Sequence, residues 1–248
     1  MKVGYMVPEF PGQTHTFFWR EILHLQKQGI EVDLVSTRKP KAAIFAKHDW
    51  AAAAQKKTTY LSPLSINFLA IALYAAKRAG GIWRCKKLIL SASDTRSKEK
   101  IKLFLVIIYS LKMAKLAEDR DWNHIHSHFC YTASDIVLFA SIISGISYSI
   151  SKHGPDFDYG NQNNKWHLAS FGTVITRRMK SELLAERGGG LRAKNFHCKH
   201  GGGQRIFQTQ HAVCLSIPKF SRKNILLREN KSIERSGRLN RVGGCAVG

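Results

Sequence analysis

Acidic residues are scarce in this chain: 17 Asp and Glu stand against 39 Lys and Arg among 248 residues, a formal charge of +22. At face value that balance suggests nucleic acid or an anionic membrane surface as partner. The excess is uneven, however. Residues 187–248 hold 13 Lys and Arg, 2 Asp and Glu, ten of the 19 glycines and three of the five cysteines. So sharp a shift in composition marks a boundary at about residue 186. Cysteine is also sparse, odd in number and without the spacing of a secreted disulfide framework, so a reducing cytoplasm is expected. No signal peptide is visible, because Met1 to Val7 has the alternation of a strand. Long apolar runs are missing as well. Ile66–Ala76 and Leu103–Leu111 fall well short of the ~20 residues a spanning helix needs. There is no GxGxxG, and His197, Cys198, His200, His211 and Cys214 match no standard zinc spacing.

What is present is periodicity. "KVGYMV" is a short apolar strand, and Phe18, Ile22 and Leu25 then recur at helical spacing up to Gly29. "IEVDLVS" alternates as a second strand. A strand, a Gly-containing loop, a helix and a strand make a βαβ unit with parallel strands. Residues 40–120 are helical, basic and apolar. Two readings stand for them: helices packed on a sheet with solvated Lys and Arg ends, or an amphipathic patch on anionic lipid. "HIHSHF" is a further strand, and "TASDIVLFASIISG" a helix that Thr132 can cap and Gly145 ends. "ISYSIS" is a strand, and "KWHLASFGTVITRRMKSELLAE" reads as helix, strand and helix. Residues 1–186 are thus expected to form an α/β, Rossmann-like, doubly wound parallel sheet, with residues 187–248 a basic, poorly ordered tail.

Ligands of such sheets bind beyond the carboxyl ends of the strands. Gly12, Gln13, Thr14, His15 and Thr16 lie at one such end and lead into a helix N-terminus, which favours a phosphate. Gly12 would let backbone approach the ligand closely. The same stretch also fits an ordinary βα turn capped by Thr14. His153, Gly154 and Asp156 follow a strand in the same way and could hold hydroxyl groups, or form a capped turn. His124, His126 and His128 alternate and share one strand face. They are expected to line the strand end near the cleft. No metal is expected of them, since no carboxylate or cysteine spacing accompanies them.

Three stretches, "VPEFPGQTHTFFWREI", "HIHSHF" and "SKHGPDFDYGNQNNKWHLASFGTVITRRMKSELL", together resemble the N-terminal half of family 4 glycosyltransferases, most nearly the colanic-acid-type enzymes of exopolysaccharide biosynthesis. The resemblance covers residues 1–186. It implies a GT-B fold of two facing Rossmann-like domains. The implied activity is retaining transfer of a sugar from a nucleotide-sugar donor to a lipid-linked or polysaccharide acceptor. It implies no cofactor and no metal. The location would be cytoplasmic, with peripheral contact at the cytoplasmic face of the membrane. By the same resemblance His153 is the catalytic-loop residue at the transferred sugar, and Gly12 to Thr16 form the loop near the donor diphosphate. The family's phosphate-gripping stretch survives as Gly237, Arg238 and Leu239, with Gly243 where the family has Lys. Arg238 is then the one candidate for the donor phosphate, and a truncated, inactive chain is expected. The alternative is a basic module that binds nucleic acid or membrane without catalysis.

The tail has an explanation in the genetic code. Shifted by one nucleotide, codons for Ala193 to Cys214 permit "PKIFIASMGVDREYFKHNTPYV". That resembles the linker into the second domain of these enzymes. A frameshift shortly before Ala193 is therefore expected. On that reading the charge of the tail carries no information about partners, and nucleic acid is not expected as one.

Overall fold

A computed structural model describes residues 1–12, 15–40, 49–63, 67–154, 160–187 and 213–216. Six parallel strands run in the order β3-β2-β1-β4-β5-β6: β1 (Lys2–Glu9), β2 (Glu31–Arg38), β3 (Thr59–Ser62), β4 (His124–His128), β5 (Ser147–Lys152) and β6 (Phe171–Val174). A seventh, β7 (Val213–Ser216), pairs antiparallel with β6. This is the doubly wound, Rossmann-like order, and its strand order reverses between β1 and β4.

The helices follow the apolar spacing. In α1 (Thr16–Lys27), Phe18 and Ile22 are buried against Tyr5, Val7 and Leu34 on one sheet face. The other face carries Met6, Val35, Ile125, Tyr148, Ile150 and Val174. On that side α6 (Thr132–Ser144) lies against α4 (Ala79–Ser91) and α5 (Ser97–Asp119) as well as the sheet. It is apolar nearly all round because it is covered on both sides. Gly145 ends α6 with φ +84°, as its position implied. The expected cap fails, however. Tyr131 is the N-cap residue, and no side chain accepts a bond there.

Residues 40–120 contain more than helices. Between α2 (Asp49–Lys57) and α3 (Phe68–Lys77) lies β3, whose four residues are too few to show a period. Beyond β5 come α7 (Gln162–Leu168) and, after β6, α8 (Arg177–Arg187). None of the described helices is long and apolar enough to cross a membrane.

Candidate functional site at the carboxyl edge

The alternation His124, His126, His128 puts three imidazoles on one face of β4, as read from the sequence. Their fates differ. Opposite them on β5, Ser147, Ser149 and Ser151 share the same face. His124 Nδ1 and Nε2 lie 2.7 Å from Ser147 Oγ and Ser149 Oγ. His126 Nδ1 and Nε2 lie 2.7 and 3.0 Å from Ser149 Oγ and Ser151 Oγ. Ser151 Oγ continues to Thr173 Oγ1 at 2.6 Å. Each hydroxyl holds one proton, so with neutral rings the donors of this ladder all point the same way along the sheet. Burial lowers the His124 pKa to about 4 and, with the charges of His124 and His153, the His126 pKa to about 3. These two histidines are partnered by serines within the sheet.

His128 is at the edge itself and fully buried. Its Nδ1 lies 2.8 Å from His153 Nε2, just past the end of β5. Burial holds its pKa well below the usual histidine value, with His126, His153 and His15 adding to the effect. Among the described residues His128 Nε2 has no hydrogen-bond partner. It faces Glu21 Oε2 of α1 at 3.9 Å. Tyr5 donates its hydroxyl to the same oxygen at 3.0 Å. Burial, then the charge of Glu21, raises the Tyr5 phenol well above its ordinary value, so it stays a donor. Burial also raises the Glu21 carboxyl, opposed by the bond from Tyr5. Glu21, His126 and His128 have ligand atoms within 4.8 Å of one another.

Aromatic rings wall this pair. Phe18 lies 4.4 Å from the His128 ring and 5.4 Å from that of His153, with Phe17 at 5.4 Å and Phe129 at 5.1 Å from His153. Phe129 has φ +65°, a strained conformation for a bulky residue. It is held there by its N–H to Ser151 O at 2.8 Å and by the Ser134 hydroxyl on its carbonyl.

The β1–α1 loop closes the third side. His15 stacks on Phe10 at 6.0 Å and meets Phe18 edge-on at 5.0 Å. A Cβ on Gly12 would sit 2.7 Å from the His15 ring. The close approach that Gly12 permits is thus by this imidazole, and Gly12 O also accepts from His15 N–H at 3.0 Å. Thr16 opens α1, whose first turn holds no acidic residue.

Gly12, His15, Thr16, His128, His153 and Gly154 are therefore at one edge, at or beside the point where strand order reverses. Gln13, Thr14, Asp156 and Arg238 lie outside the described residues.

Sequence reading missed what holds these loops. Lys165, fully buried, donates to Asp135 Oδ2 at 3.0 Å, Cys130 O at 3.0 Å and Gly160 O at 3.3 Å. Asn161 Nδ2 donates to Asp135 Oδ1 at 2.8 Å, and Gln162 Nε2 to Cys130 O at 2.9 Å. The clamp ties the loop after β4 to the start of α7. A shallow cleft at the opposite edge, lined by Lys2, Gln26, Glu31 and Asp33, brings no such groups together. There, Lys2 and Arg120 pair with Asp33 at 3.7 Å each.

No family model matches the chain, and no curated protein matches it. Among solved structures it is similar to the S. aureus MnaA–UDP co-structure, at 11% identity and TM-score 0.42 over 75% of this chain and 40% of that one. It is similar also to a UDP-N-acetylglucosamine 2-epimerase, at 13% identity and TM-score 0.43 over 75% of this chain and 45% of that one. The chain spans less than half the length of either. At these identities the likeness is one of fold alone.

Proposed function

We propose that residues 1–186 are the acceptor-side half of a retaining glycosyltransferase that uses a nucleotide-sugar donor. One observation carries this reading: His153 is pinned by His128 beside the β1–α1 loop, where the strand order reverses. An imidazole at that place is suited to hold a hydroxyl of the transferred sugar. The N-terminus of α1, free of acidic residues in its first turn, is suited to the donor diphosphate. Stabilising the departing diphosphate accounts for much of such a reaction. In the family that these stretches resemble, the charges for it come chiefly from a second domain. Residues 187–248 offer only Arg238 towards it, and we propose that they were written out of frame. Resequencing from codon 180 onward tests this, and a shifted frame that closes at once would refute it.

The reading of a lipid-linked acceptor in exopolysaccharide synthesis draws on the outer helices. Leu69, Leu73, Trp83, Leu90, Ile101 and Leu105 on α3, α4 and α5 are 59–70% exposed. Exposed lysines stand among them, with Lys87 Nζ 5.7 Å from the Trp83 ring centre. Such a surface suits anionic lipid. Calorimetric titration with a panel of nucleotide sugars tests the donor reading. Binding without turnover, lost in His153→Ala, is the expected result. A panel that binds nowhere, or equally to His153→Ala, would overturn it.

A further inference from the structure

We propose that Glu21, His126 and His128 form a binding site for one divalent transition-metal ion of the zinc type. The strand alone offers imidazoles without a carboxylate. The fold brings the carboxylate from α1, more than a hundred residues earlier in the chain, and the three ligand atoms converge within 4.8 Å of one another. The second observation is independent of that convergence. His128 is fully buried, its Nδ1 is engaged by His153, and its Nε2 has no hydrogen-bond partner among the described residues. A buried polar atom left unpaired is costly, and natural structures rarely retain one without a ligand, ion or water.

The spacing suits an ion. Two ligands each about 2.1 Å from zinc at a tetrahedral angle are about 3.4 Å apart. His128 Nε2 and Glu21 Oε2, at 3.9 Å, need close by only about 0.5 Å to reach that distance. Glu21 is half-buried, so an ion has a way in. His126 would exchange one of its two serine bonds for the metal. Two histidines and one carboxylate suit zinc, cobalt and iron(II), and they leave a coordination position open.

The ion would act on its neighbour. Metal on His128 Nε2 leaves the ring's one proton on Nδ1, which then donates to His153 Nε2. The ion therefore sets the tautomer of His153. This inference does not depend on the sugar chemistry proposed above.

The test uses the full chain, stripped with chelator and titrated with zinc against a chromophoric competitor. Long-range proton–nitrogen spectra of the imidazoles provide the second readout. We expect one zinc per chain, a shifted His128 Nε2 signal, and a proton retained on His128 Nδ1. Glu21→Gln, half-buried and of similar shape, should weaken binding by at least about tenfold. His126→Asn should do the same and gives a second check should the first variant fold poorly. No stoichiometric binding would overturn the proposal. So would binding that both variants leave unchanged, since the ion would then sit on other histidines or cysteines.

Discussion

Replacing Lys165 by Met should be among the most damaging single changes in the domain, and its cost should depend on pH in a defined direction. The ammonium is fully buried and pairs with Asp135 at 3.0 Å. Burial already raises the Asp135 carboxyl above its ordinary 3.8, with Lys165 and then Asn161 opposing the shift. Without Lys165 the carboxylate must either remain charged in the interior or take up a proton. Protonation sets the ceiling: about 1.4 kcal/mol for each of the roughly three pH units between the ordinary value and pH 7, or about 4 kcal/mol. At pH 5 the same ceiling is under about 2 kcal/mol. Gly160 O also loses a donor, while Cys130 O keeps Gln162, which adds about 1 kcal/mol at any pH.

In the variant the folded state binds the Asp135 proton more tightly than the unfolded state does. Stability relative to the parent therefore falls as pH rises from about 4 towards neutrality. Urea unfolding of parent and variant at pH 5 and pH 7 measures this difference, in which other titrating groups cancel. A penalty of about 5 kcal/mol could unfold the variant outright at pH 7. Recovery at pH 5 would then be the observable. Adding Asp135→Asn should remove most of the pH dependence. A penalty below about 1 kcal/mol at pH 7, or one equal at both pH values, would refute the reasoning.

Three further outcomes are expected. Gly172→Ala would put a Cβ 2.2 Å from the buried Trp166 ring, so a loss of about 1–3 kcal/mol with altered tryptophan fluorescence should follow. In chelator-treated protein, unfolded imidazoles charge below about 6.5, whereas folded His124 and His126 resist until about 4 and about 3. Stability should therefore fall by about 2 kcal/mol per histidine from pH 7 to pH 5, and, because buried His128 is held low as well, His126→Gln should remove about a third of that slope. Cosedimentation with anionic vesicles should weaken in Leu73→Glu and Leu105→Glu and at high salt, while neutral vesicles should bind poorly throughout.

Much of the fold was legible because its signals are local. The spacing of Phe18, Ile22 and Leu25 gives α1, and the alternation through His124, His126 and His128 gives β4 and its face. Aligning "HIHSH" with "SYSIS" would also have revealed the histidine–serine ladder, since both strands alternate and run parallel. The clamp was not legible. Asp135, Asn161 and Lys165 meet only after α6 and α7 pack, and a lysine within "NNKWH" looks like any solvated charge. Glu21 likewise reads as an ordinary polar position of α1 until the helix is laid against β1 and β4. In the sequence, Gly12 suggests close approach by a ligand. The helix start places the His15 ring there instead, a contact that depends on loop geometry rather than residue type.

The most direct test of the site is amide chemical-shift mapping of the full chain with a nucleotide-sugar panel. Shifts should gather on Gly12, His15 to Phe18, His128 to Phe129 and His153 to Gly154, the groups that meet at the carboxyl edge. Shifts confined to the cleft around Lys2, Glu31 and Asp33, or to α3–α5, would contradict a site at that edge. So would the absence of any response at saturating ligand.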